Sequence, residues 1–156
     1  MNFRLDAISL DEASVVQRSR AIEQEREVAI LDLLETNVFR IEGSDAGPYQ
    51  LTLGVEEGRL VFDVRRGAES HARILLALAP LKRLIKDYWL VCESYYQAIR
   101  TATPQQVESL DAGRKVMHDE GATELRQRLH GKIETDFNTA RRLFTLICVL
   151  QLRTDP

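Results

Sequence analysis

At 156 residues, 44% of them hydrophobic and 29% charged, the chain has the size and balance of one globular domain that needs no metal or disulfide staple. No apolar run approaches the ~18 residues of a spanning helix, and the opening Met-Asn-Phe-Arg-Leu-Asp lacks a charged-then-apolar leader pattern, so neither membrane nor export is expected and the cytoplasm is. The net charge of −3 is uneven: residues 1–58 carry 12 acidic and 5 basic side chains, residues 59–156 carry 12 and 16, a polarity that favours pairing between the halves.

In chain order, Phe3, Leu5, Ala7, Ile8 and Leu10 read as a short strand. Residues 11–19 form a polar connection with Val15 and Val16 as a small anchor. Ser19 to Thr36 has helical period, with Ile22, Ala29, Ile30, Leu33 and Leu34 on the buried side and Glu23, Glu25, Arg26 and Glu27 toward water; Asn37 is a left-handed stop. Val38–Glu42 is a short strand, and residues 43–48 are a loop of glycine, serine and proline. Leu51, Leu53 and Val55 alternate with polar residues, Glu57-Gly58 turns the chain, and Leu60, Phe62 and Val64 return. A further turn at residues 67–69 leads into a strand with Ala72, Ile74, Leu76 and Leu78 on its core face.

The stretch from Pro80 to Arg100 dominates the pattern. Leu81, Leu84, Ile85, Tyr88, Val91, Cys92, Tyr95 and Ile99 recur at three- and four-residue steps, and the span Tyr88–Cys92 is apolar nearly all round. It is expected to be the central helix, with sheet on one side and the later helices on the other. Thr103, Pro104 and Gln106 then supply an N-cap, a first-turn proline and a capping-box glutamine. That helix is expected to end near Asp119 with Gly121 as its C′ residue, followed by a short helix ending at Gly131. Asp136 caps a last helix from Phe137 to about Leu152. The order predicts a single α+β domain: an antiparallel meander of three to five strands packed on a central helix, with a mostly helical C-terminal half. Tyr88, Cys92, Tyr95, Ile99, Phe144, Ile147 and Cys148 are expected in one core.

Chemistry-bearing motifs are sparse. No phosphate loop, HExxH, CxxC or serine elbow is present, and three histidines with two distant cysteines lack metal-ligand spacing, so no metal or cofactor is expected. Cys92 and Cys148 lie in apolar helical stretches and read as buried free thiols. The candidate anion-binding set is Arg114, His118, Arg141 and Arg142. Arg114 interrupts the apolar face made by Val107, Leu110 and Met117, where a guanidinium must be paired or hold an anion. Arg141 and Arg142 sit near a helix N-terminus with no acidic residue one turn before them. The alternative for all three is structural pairing, with Asp87, Glu93, Glu120 or Asp136 as partners. The candidate interface is Trp89 with Leu90, because Leu90 breaks the polar stripe Lys82, Lys86, Glu93 and Gln97.

Three functional readings follow. The first is a non-enzymatic interaction or regulatory module that holds an unknown protein partner or forms a weak homodimer. The second is a protein or enzyme that binds an anionic metabolite with the Arg/His cluster. The third is an RNA-binding module with Lys82, Arg83 and Lys86 at its helix start, which the acidic first helix and the added helices argue against.

The segments GPYQLTL, LKRLIKDYWLVCESYYQAIRTATPQQVESLDAGRKVMHDEG and DFNTARRLFTLICVL resemble uncharacterised protein family 0262, a set of short bacterial proteins, and the resemblance covers essentially the whole chain. It implies a bacterial, single-domain, cytosolic protein and carries over no catalytic residue. Ser19-Arg20-Ala21 departs from the proline-containing helix opening of that family.

Overall fold

The computed structural model describes residues 3–11, 20–44 and 47–154; the expected connection around Val15 and Val16 lies outside them. Three strands in period-two alternation form the meander: β3 (Tyr49–Glu56), β4 (Arg59–Arg66) and β5 (Glu69–Ala77), in the register Leu53↔Phe62 and Phe62↔Ile74. Glu57 and Gly58 both take positive φ, 51° and 75°, so the β3–β4 loop is a two-residue turn whose twist matches that of its strands. The N-terminal strand, β1 (Leu5–Leu10), joins this sheet beside β3, and it runs parallel to it, giving the order β1-β3-β4-β5. The sheet is therefore mixed: a helix between β1 and β3 lets the chain return in the same direction.

That helix is α1 (Arg20–Glu35), within a residue of its expected start and end. Asn37 is not the left-handed stop expected of it. Its side chain donates to Leu33 O at 2.6 Å and to Leu5 O at 2.9 Å, while Oδ1 accepts from Leu5 N at 2.7 Å. One amide thus closes the end of α1 and substitutes for a strand neighbour of β1. The short strand β2 (Phe39–Ile41) pairs antiparallel with β6 (Ile133–Thr135), which is too brief for a period to reveal.

Three helices follow the meander, where four were expected. They are α2 (Ala79–Thr101), α3 (Pro104–Leu129) and α4 (Phe137–Thr154). The capping box at Thr103 and Gln106 is formed in both directions, and Asp136 Oδ1 caps Thr139 N at 2.9 Å. Helix α3 runs straight through Gly121. A Cβ built there would lie 2.3–2.5 Å from the Phe144 ring, so this glycine serves close helix packing and not a stop.

The centre of the fold is α4. It touches α1, α2, α3 and β3, and Leu143 through Leu150 include Phe144, Ile147 and Cys148 at 0% exposure. Tyr88 and Cys92 of α2 join that core as expected. Tyr95 is only half-buried, and Ile99 is 52% exposed because the end of α2, with Gln97, Arg100 and Thr101 also exposed, projects past its cover. Leu34, expected inward, is 37% exposed on α1.

Candidate functional site

Arg114 interrupts the apolar face of α3 because it reaches α1. Its Nη1 lies 3.0 Å from Glu25 Oε1 and its Nη2 lies 2.8 Å from Asp111 Oδ1, with the guanidinium 4.5 Å above the Tyr95 ring. Tyr96 of α2 donates its hydroxyl to the same Glu25. One carboxylate therefore ties three helices together. Burial opposes the charge on Arg114, but Asp111 and Glu25 outweigh it and hold the group firmly cationic. The hydrogen bond from Arg114 in turn pulls Asp111 below the usual carboxylate range.

His118, one turn further along α3, is buried against α4. Its Nε2–H donates to Arg141 O at 2.8 Å, with Thr145 Oγ1 at 2.6 Å, and its ring lies 5.3 Å from that of Tyr88 and 6.3 Å from that of Phe144. Nδ1 faces Arg141 Nη2 at 3.4 Å, so a second proton would meet a guanidinium. Burial first, and the charges of Arg141 and Arg142 next, push the imidazole down to about 4. It is a neutral core histidine at neutral pH.

Of the four residues proposed for an anion site, only His118 and Arg141 touch. Arg114 turns to α1, and Arg142 pairs with Asp32 of α1 at 3.3 Å. Arg141 Nε lies 3.0 Å from Asp119 Oδ1, an ion pair without hydrogen-bond alignment. All three arginines have carboxylate neighbours, and those are Glu25, Asp111, Asp119 and Asp32 in place of Asp87, Glu93, Glu120 and Asp136. The sequence hides Glu25 and Asp32, which are about ninety and over a hundred residues away from the arginines they meet, whereas Asp111 lies one turn before Arg114 on the same helix. The two thiols offer no nucleophile: burial raises Cys92 to about 11 and pushes Cys148 well above the usual thiol range.

Trp89 and Leu90 stand on the outward side of α2. The Trp89 indole N–H donates to Cys148 O at 3.0 Å, which fixes the ring between α2 and α4. Beside it runs a groove of about 360 Å³, floored by Ile85 and walled by Lys82, Lys86, Leu90, Glu93 and Gln151. Leu90 is 53% exposed, and Lys82, Lys86, Glu93 and Gln97 all face water as their stripe predicts.

Sequence reasoning missed a contact at the far end of the sheet. Val64 pairs with Ala72 and Arg65 with Ser70, leaving His71 as the extra residue of a bulge, and a bulge re-aims a side chain. His71 Nε2 lies 3.1 Å from Ser44 Oγ, which also accepts from Tyr49 OH at 3.0 Å. No local spacing signals this trio. Ser44 N–H is already given to Ile41 O, and among the described residues no carboxylate orients the other nitrogen of His71. A second concavity of about 400 Å³, between the end of α3 and β6, gathers Arg126, His130, Thr135 and Asp136. Among the described residues no three His, Cys, Asp or Glu side chains cluster as metal ligands would, and no helix is long and apolar enough to cross a membrane.

These features define an α+β protein whose buried ionisable groups join helices to one another. The chain belongs to the uncharacterised protein family UPF0262, whose pattern it matches over residues 2–153. It is 55% identical over 150 residues to a UPF0262 protein of Phenylobacterium zucineum (strain HLK1), covering 96% of this chain and 94% of that one. It is 52% identical over 153 residues to a UPF0262 protein of Caulobacter vibrioides (strain NA1000 / CB15N), covering 97% and 95%. With a UPF0262 protein of Rhodopseudomonas palustris (strain BisB5) it shares 51% identity over 152 residues, covering 96% and 92%. No solved structure matches the chain.

Proposed function

We propose that this is a non-enzymatic, cytoplasmic interaction module that works through the outward face of α2, with weak self-association as its simplest form. The observation that carries the reading is the groove at Trp89 and Leu90. There an exposed leucine and a half-buried indole lie between Lys86 and Glu93 on α2, the mixture of apolar anchor and charged rim found at protein contacts. Trp89 is held in place by its bond to α4, so the surface is ordered before any partner arrives. Sedimentation velocity across a hundredfold concentration range is expected to show a concentration-dependent dimer or larger species for the wild type and a monomer for Leu90→Arg. A wild type that stays monomeric throughout refutes self-association.

The alternative, an anionic-metabolite site on Arg114, His118, Arg141 and Arg142, requires guanidinium donors still open to a ligand. The carboxylates beside all three arginines favour the interaction reading. Phosphate and chloride at equal ionic strength are accordingly expected to give equal melting temperatures once the general exclusion effect is removed by comparison with Arg141→Ala. A phosphate-specific rise of several degrees that Arg141→Ala abolishes would reverse the preference, since saturating ligand adds ~2.7 kcal/mol at a hundred times its Kd.

A further inference from the structure

The outward face of α2 changes character along its length: Lys82 and Lys86 precede Leu90, and Glu93 and Gln97 follow it. All five face water among the described residues, and there neither Lys86 nor Glu93 has an ion-pair partner in its own chain. Both line the groove beside Trp89 and Leu90. Asp87, the other carboxylate near the centre of α2, does not line it; it lies about 120° round the helix from Glu93. A stripe that is basic before its apolar centre and acidic after it complements itself when reversed. With a second α2 laid antiparallel across a two-fold axis between Trp89 and Leu90, Lys86 falls opposite Glu93 of the copy and Lys82 opposite Gln97, because each pair is equidistant from the axis. The Lys86–Glu93 pair then forms twice, about 5 Å either side of the axis, with Trp89 and Leu90 of both copies gathered between. Arg100 falls opposite Ala79, about 16 Å from the axis, where crossing helices have diverged. A parallel pairing instead sets Lys86 on Lys86 and Glu93 on Glu93, and charge opposes it.

We infer that the occupant of the α2 groove is the same groove of a second copy of this chain, the two α2 helices packed antiparallel about a two-fold axis. This rests on the interaction reading above and names its partner surface and geometry. Such a contact is isologous: both copies use the same patch, so assembly stops at a dimer. Leu90 and Trp89 form its apolar centre, and the two Lys86–Glu93 pairs at the rim set orientation more than affinity.

The experiment is a charge exchange read by sedimentation. Lys86→Glu, Glu93→Lys and the two changes combined in one chain are compared with the wild type and with Leu90→Arg. All three positions face water, so every variant is expected to keep the wild-type far-UV circular dichroism and melt. Each single exchange turns both cross-pairs into like charges and is expected to weaken dimerisation about tenfold. The combined exchange rebuilds both pairs in reverse and is expected to restore the wild-type dimer constant. A parallel pairing would leave the single exchanges without effect, and a contact of α2 with a different surface would leave the combined exchange unrestored. Either result, or species larger than a dimer, overturns the antiparallel contact, and a monomeric Leu90→Arg then leaves the α2 interface standing. A wild type that stays monomeric, or a Leu90→Arg that associates as the wild type does, overturns both.

Discussion

Gly121→Leu is expected to yield a protein with no cooperative melt, and Gly121→Ala to lose about 3 kcal/mol. The cause is the Phe144 ring, whose Cε2, Cζ and Cδ2 atoms would stand 2.3, 2.4 and 2.5 Å from the new Cβ. Phe144 is fully buried in α4, beside Tyr88 at 5.8 Å and His118, so the ring has no open side to move into. Overpacking of this kind costs about 1–3 kcal/mol and occasionally more. The matched control lies two turns earlier on the same helix. At Gly113 a Cβ would meet only Val91 Cγ1, at 3.8 Å, an ordinary contact. There alanine removes the helix-propensity cost of glycine, about 1 kcal/mol. Gly113→Ala is thus expected to raise the melting temperature and Gly121→Ala to lower it, at about 2–4 °C per kcal/mol for a chain of this size. A stabilised Gly121→Ala would show that α3 and α4 do not approach at this residue.

That glycine also marks the limit of what the sequence makes legible. Gly121 after a helical run looks like a C′ residue, because the chain pattern cannot show that a ring from α4 occupies the space beside it. Elements with a long period or local chemistry are readable: α1, the meander, the capping box at Thr103 and the start of α4 at Asp136 all follow from nearby residues. The sheet partner of β1 is not, since a parallel pairing leaves no turn signature, nor is β6, with three residues. The candidate site divides in the same way. Leu90 stands out because an apolar residue breaks a polar stripe on one helix, a local observation. Arg114 stands out because it breaks an apolar face, and Arg141 and Arg142 because no acidic residue lies one turn before them. Asp111 beside Arg114 is local, but the other partners are not: Glu25 reaches Arg114, and Asp32 reaches Arg142, only once α1 is packed into the fold. An arginine on an apolar face tells a reader that a partner exists and not which one.

The wild-type protein is expected to lose about 3 kcal/mol more stability than His118→Gln as the pH falls from 6.5 to 4. In the fold the imidazole is pushed from 6.5 down to about 4, by burial and then by the charges of Arg141 and Arg142; each unit of such a difference corresponds to 1.36 kcal/mol. Because the folded value is the lower one, the unfolded chain binds more protons between the two values, and stability rises with pH there. The contribution is fully present above about 6.5, where both states hold a neutral ring, and is lost progressively as the pH drops toward 4. The geometry says why the fold refuses the proton. Nε2–H is already given to Arg141 O, and Nδ1 accepts from Arg141 Nη2 at 3.4 Å, so an incoming proton would displace that bond and sit beside a cation and away from water. Carboxylates titrate over the same range in both proteins, so the readout is the difference between the two stability curves from urea unfolding at a series of pH values, not either slope alone. Glutamine keeps a donor for Arg141 O without a group that titrates, which confines the comparison to the proton. If wild type and His118→Gln trace parallel curves from neutral pH to 4, the imidazole is reachable by water and the α3–α4 contact is looser than this packing requires.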